Sequence, residues 1–112
     1  MSQITTHVLD TAKGQPAAGV AILLYRQQSA TWQQVGQGRT NADGRLPDLV
    51  PPGTGLPPGV YKMKFLTREY FDREATPTFY PYVEIVFDTT DRVHCHIPLL
   101  LNPFGYTTYR GS

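Results

Sequence analysis

Hydrophobic and polar residues alternate in short bursts along this chain, and Gly or Pro separates most bursts from the next. Residues 82–88 show the pattern cleanly: Val83, Ile85 and Phe87 fall on one parity, Tyr82, Glu84 and Val86 on the other. A strand with two unlike faces reads this way. Residues 93–99 repeat it, with Val93, Cys95, Ile97 and Leu99 opposite His94, His96 and Pro98. Residues 4–10, 33–40, 60–66 and 106–110 are further expected strands. Residues 20–27 are apolar on both parities, which predicts a central strand covered on two sides. Lys13-Gly14-Gln15-Pro16 and Asn41-Ala42-Asp43-Gly44 read as turns. Pro47 restricts any strand after the second turn to a short edge piece. Residues 51–59, rich in Pro and Gly, form a long expected loop.

One short helix is expected from Thr67, with Thr67 as its cap, Glu69 in the first turn, Arg73 in the last and Pro77 ending it. Tyr70 and Phe71 with Leu66 and Thr67 give it a small apolar face. The sum is about eight strands and one helix, an all-β sandwich or barrel. The chain has 112 residues, which fits one domain over its whole length. Its 40% hydrophobic content suffices for an ordinary core, but only 17% of residues are charged. That is below the average for soluble proteins, and it suggests that another subunit covers part of the surface.

Charge then narrows the functions. Net charge is +1 and the basic residues stand singly, so no nucleic-acid footprint appears. The longest apolar run, residues 20–25, is far too short to span a bilayer. Met1 to Thr6 has neither a basic start nor an apolar stretch, so no secretory leader is expected. The one cysteine, Cys95, excludes an intrachain disulfide and a four-cysteine zinc site, which fits a reducing cytoplasm. Its parity marks it as a buried thiol. Phe79, Tyr80 and Tyr82 are expected to pack rather than to bind ligand.

Three histidines remain: His7, His94 and His96. The pleat puts His94 and His96 together on the face opposite the apolar one. Three nitrogens could hold zinc and leave a fourth position for water, although no carboxylate is fixed beside them as a supporting partner. Without a metal, a histidine near its ordinary pKa can take a proton from water at neutral pH. Arg45, just after a turn, could stabilise the resulting oxyanion and keep a nearby imidazole neutral. From spacing alone, ordinary surface histidines and a solvated arginine account for the same residues.

Longer stretches carry a resemblance. Ile4-Thr5-Thr6-His7-Val8-Leu9-Asp10, Thr40-Asn41-Ala42-Asp43-Gly44-Arg45, His94-Cys95-His96-Ile97-Pro98-Leu99-Leu100-Leu101 and the closing Tyr106-Thr107-Thr108-Tyr109-Arg110-Gly111-Ser112 resemble, in order, the motifs of the 5-hydroxyisourate hydrolases. Phe79-Tyr80-Pro81-Tyr82-Val83-Glu84 fits too. The ending Tyr-Arg-Gly-Ser separates these enzymes from transthyretin, the carrier of the same fold. Cys95 departs from the family, which usually has an aromatic residue there.

The resemblance implies a transthyretin-like (prealbumin-like) sandwich of two four-stranded sheets with one short helix. It implies a homotetramer, a dimer of dimers, with sites in channels between dimers. The substrate would be 5-hydroxyisourate, opened by water at its ring lactam without metal or organic cofactor. His7, Arg45, His96 and Ser112 would be catalytic, and His7, Arg45, Tyr109, Arg110 and Gly111 would bind substrate. Which histidine is base and which is acid stays open, as does the part of His94. A transthyretin-like carrier without catalysis, a three-histidine zinc hydrolase and an interaction-only sandwich are the alternatives.

Overall fold

The strand expected over residues 4–10 becomes β1 (Ile4–Asp10), which buries Ile4, Thr6, Val8 and Asp10 and half-exposes Thr5, His7 and Leu9 on its other face. The structure is a computed structural model describing residues 3–51, 53–91 and 94–111. Pro52 of the long loop, Val93 of the expected apolar face and the candidate site residue Ser112 lie outside the described residues.

The described residues form two four-stranded sheets and one helix. The first sheet runs in the order β2 (Gln15–Pro16), β1, β7 (Cys95–Asn102), β8 (Gly105–Thr108). The second runs β4 (Thr31–Arg39), β3 (Ala21–Gln28), β5 (Val60–Phe65), β6 (Val83–Asp88). β1 and β7 pair in parallel, and the other neighbours pair antiparallel. In the parallel pair Thr5 lies opposite His96 and His7 opposite Pro98. Two segments facing each other across most of the chain's length therefore present their outward residues side by side.

The short edge strand is not where Pro47 suggested. Gln15–Pro16, inside a segment expected to be a turn, pairs with Leu9 and Asp10. A proline on an edge strand costs no ladder bond. Just after the second turn, where Pro47 suggested an edge piece, the described residues make one bridge, between Arg45 and His7.

The inner faces meet in one core: Val8 and Leu99 from the first sheet, Ile22, Leu24, Tyr61, Met63 and Phe65 from the second, all fully buried. Burying a side chain of this size stabilises by about 1.5–3 kcal/mol. Tyr61 satisfies its hydroxyl by donating to the Pro57 carbonyl at 2.5 Å. The two-sided cover expected for residues 20–27 is not found in β3: Ile22 and Leu24 are buried, but Ala21, Leu23 and Tyr25 are half-exposed. There the outer face carries the Lys62 ammonium over the rings of Tyr25 and Trp32, 5.1 and 4.7 Å from their centroids.

Helix α1 (Thr67–Arg73) buries Thr67, Tyr70 and Phe71, the apolar face expected from their spacing. Thr67 does not cap it. Leu66 occupies the cap position, and the Thr67 hydroxyl is buried with no hydrogen-bond partner among the described residues. Nor does Pro77 end the helix, because the chain has already turned at Ala75, at a left-handed φ of 51°. The Tyr70 hydroxyl donates to the buried Asp10 carboxylate at 2.7 Å, fastening the helix to the end of β1. Burial first, then that carboxylate, raises the phenol's pKa well above the usual range. Phe79, expected to pack, is 70% exposed, although edge-to-face contacts run from it through Tyr80 to Tyr106. No described helix is long and apolar enough to cross a membrane.

Candidate active site

The turn before Arg45 is built by Asn41, whose side-chain oxygen accepts from the backbone N–H groups of Asp43 and Arg45 at 2.9 and 3.0 Å. Gly44 closes it at a φ of +75°, and a Cβ there would sit 2.3 Å from the Val8 carbonyl oxygen. Glycine is required twice over, by conformation and by space. The close approach lets the Val8 N–H donate to the Gly44 carbonyl at 2.7 Å. The turn is thereby pinned against β1, and Arg45 bridges His7.

On the other side of β1, strand β7 supplies His96 and the chain end supplies Gly111. The Gly111 N–H donates to the His96 carbonyl at 3.0 Å, continuing the line of β8. Arg45, His7, His96 and Gly111 thus lie across the outer face of one sheet, although they are far apart in sequence. A cleft of about 270 Å³ is lined by Thr5, Thr6, Arg45, Leu46, Pro47, His94 and His96.

His96 is half-buried, and burial is the first cause of a pKa below the ordinary 6.5. The positive charge of Arg45, and that of His7 and His94 when protonated, push it the same way. An imidazole held neutral beside a permanent cation can accept a proton while the cation attracts developing negative charge. Among the described residues, His, Cys, Asp and Glu form no group of three or more placed to hold a metal ion, so the three histidines are not arranged as a zinc ligand set.

The residues expected from sequence fall in different places around the cleft. Arg45 and His96 share the cleft, and His94 lines it with them. His7 is not among the lining residues but lies against Arg45 and within electrostatic reach of His96. Tyr109 and Arg110 line a neighbouring cleft of about 350 Å³, bordered by Ile85, Phe87 and also His96. There the Arg110 guanidinium is 3.3 Å from both Asp91 carboxylate oxygens. Gly111 packs directly on His96. Cys95 is buried, as its parity predicted.

Thr5 was not foreseen. Its hydroxyl oxygen lies 2.9 Å from His96 Nδ1 and 3.3 Å from His94 Nε2. The available signal was its shared parity with His7; the missing one was the β1–β7 register, which local sequence does not encode.

A family model described as "HIUase/Transthyretin family" matches residues 4–111. The 5-hydroxyisourate hydrolase of Mus musculus is 46% identical, over 99% of this chain and 96% of its own length. The solved 5-hydroxyisourate hydrolase of Klebsiella pneumoniae superposes with a TM-score of 0.84 at 34% identity, covering 97% of this chain and 98% of that one. Transthyretin from Sparus aurata superposes with a TM-score of 0.90 at 32% identity, covering 99% and 97%.

Proposed function

This chain belongs to the HIUase/transthyretin family, and from that premise we propose that it hydrolyses 5-hydroxyisourate to 2-oxo-4-hydroxy-4-carboxy-5-ureidoimidazoline, a step of urate degradation, at the cleft shared by Arg45 and His96. One observation carries the reading: a permanent cation and an imidazole kept neutral by its surroundings line the same small cleft. Between them they supply the two things that water attack on a lactam needs, a proton acceptor and a partner for the oxyanion.

The water oxygen bonds to the lactam carbon, its proton passes to one imidazole, and the carbonyl oxygen becomes negative beside Arg45. The carbon–nitrogen bond then breaks, and the departing nitrogen takes a proton from the other imidazole. His7 and His96 are those two groups. Tyr109, Arg110 and Gly111 complete the substrate's surroundings, and Ser112 is a further catalytic candidate from its motif. For Arg110 this means leaving Asp91, a low-cost change for an exposed ion pair. No metal and no organic cofactor enter the scheme.

The assembly in this reading is a homotetramer, a dimer of dimers, in which other copies close the cleft. Its support is the position of the site on an outer sheet face and the exposure of Phe79, Phe104, Val86 and Tyr109, large apolar side chains that a neighbouring copy would remove from water. A single, buried cysteine fits the cytoplasm. Neither nucleic acid nor a membrane is a partner here.

The transthyretin likeness favours one competitor, a carrier that holds a small ligand without reacting, because fold similarity does not separate the two. The residues do: a carrier needs neither a neutral imidazole nor a guanidinium poised beside it. The test follows the absorbance of freshly prepared 5-hydroxyisourate with and without protein. Loss faster than spontaneous decay is expected, and an unchanged decay rate would overturn the enzymatic reading.

A further inference from the structure

Thr5 stands on β1 directly opposite His96, with its hydroxyl between two imidazole nitrogens. A hydroxyl has one proton to donate and lone pairs to accept. It can donate to His94 Nε2 and accept from His96 Nδ1–H, or do the reverse, but it cannot donate to both. Two neutral histidines joined through it are thus held in complementary arrangements. In the first, His96 carries its proton on Nδ1, and Nε2 presents a lone pair. In the second, His96 Nε2 carries the proton.

We propose that Thr5 and His94 are positioning residues for His96: the shared Thr5 hydroxyl links the two rings, so that a proton taken up at His96 Nε2 is passed on to His94. The transfers balance. Water gives a proton to His96 Nε2, His96 gives its Nδ1 proton to Thr5 Oγ1, and Thr5 gives its own proton to His94 Nε2. At the end His94 is an imidazolium, His96 is neutral with its proton on Nε2, and Thr5 donates to Nδ1. His96 has accepted the water's proton without retaining charge, which leaves His7 to serve the departing nitrogen.

The surroundings favour that direction. His94 is exposed, where water solvates a cation; His96 is half-buried beside Arg45 and His7, where a cation is disfavoured. Among the described residues, the neighbouring cleft adds Asp88 of β6 together with Tyr109 and Arg110 near His96. Arg110 is paired with Asp91, and Asp88 is bonded to Thr90. Thr5 is half-exposed and outside the core, so replacing its hydroxyl leaves the buried packing in place.

The catalytic consequence rests on the hydrolytic reading above, whereas the coupling of the two rings does not. The first measurement is therefore made on the full chain without substrate, by long-range 1H–15N correlation of the histidine rings as a function of pH. As His94 takes up a proton, His96 is expected to move its own proton from Nδ1 to Nε2 before becoming charged. In Thr5→Val that response should vanish. A His96 tautomer indifferent to the charge on His94, or one that still follows it in Thr5→Val, would overturn the proposal.

The second measurement is turnover of 5-hydroxyisourate. Thr5→Val should lower kcat by on the order of 10- to 100-fold with KM changed less than about threefold, and Thr5→Ser, which keeps the hydroxyl, should recover most of the loss. A Thr5→Val enzyme within about twofold of the parent kcat, or a Thr5→Ser enzyme as slow as Thr5→Val, would also overturn it. If the parent chain itself failed to accelerate decay, the hydrolytic reading would fall while the ring spectra still decided the coupling.

Discussion

The Gly111 backbone lies so close to His96 that a Cβ at position 111 would be 2.7 Å from the His96 ring carbon Cδ2 and 3.0 Å from its carbonyl oxygen. The same glycine donates its N–H to that carbonyl. The glycine near the chain end therefore acts as a spacer: it lets the terminal segment run along β7 without tilting the imidazole.

Gly111→Ala should move the His96 ring while leaving the sheets intact, because the clash is confined to the edge of the site. Displacement of a reacting group by about 1 Å can cost on the order of 100-fold in rate. We expect kcat to fall by that order with an unchanged circular dichroism spectrum. Parent-like kcat in the alanine variant would show that the ring position is not critical.

Arg45→Ala should lower kcat/KM by on the order of 100- to 1,000-fold, the usual cost of losing one oxyanion donor. Arg45 is exposed and follows a turn held by Asn41 and Gly44, so folding should be unaffected. A loss seen in KM alone would mean that Arg45 binds ground state and transition state equally.

His96 has a folded pKa below its ordinary 6.5, with burial as the first cause and the charges of Arg45, His7 and His94 following. The unfolded chain thus binds the proton more readily between the two values. The stability contributed by neutral His96 is complete above pH 6.5 and is lost as pH falls through the depressed folded value. Denaturant unfolding over that window should show stability declining with acidity, and His96→Asn should flatten the decline. An equally steep decline in the variant would assign it to other groups.

Thr67 buries a hydroxyl with no partner among the described residues, at the first position of α1. Thr67→Val removes that polar atom and keeps the branched shape. The variant should be as stable as the parent or more stable by about 1 kcal/mol, since an unsatisfied buried group costs on the order of 1–3 kcal/mol. Chemical denaturation checks the sign, and a clear destabilisation would mean that the hydroxyl is satisfied in solution.

The boundaries of several elements were legible in the sequence because their causes are local. β1 runs over Ile4–Asp10 as read, and the period-two alternation of residues 82–88 produced β6 over Val83–Asp88. Asn41 and Gly44 make a turn from their own side-chain and backbone geometry. The paired faces of β7 follow from the pleat, which puts His96 opposite Cys95 and Ile97. Where a local rule had a tertiary competitor it failed: Thr67 looked like a cap, but burial of its side chain against the core took precedence. Gln15–Pro16 looked like a turn until β1 offered an edge to pair with.

The residues themselves named His7, Arg45 and His96 as candidates, and their motifs resembled one family of enzymes. Their convergence was decided elsewhere. It depends on β1 lying parallel to β7 in the register that sets Thr5 against His96, and on the Gly44 turn approaching Val8. A one-residue slip in that register would carry the outward side chains to the opposite face. No local preference fixes such a pairing between distant segments. It is set by which arrangement buries Val8, Leu99 and their neighbours together, and so the place of Thr5 beside His94 and His96 belongs to the tertiary structure alone.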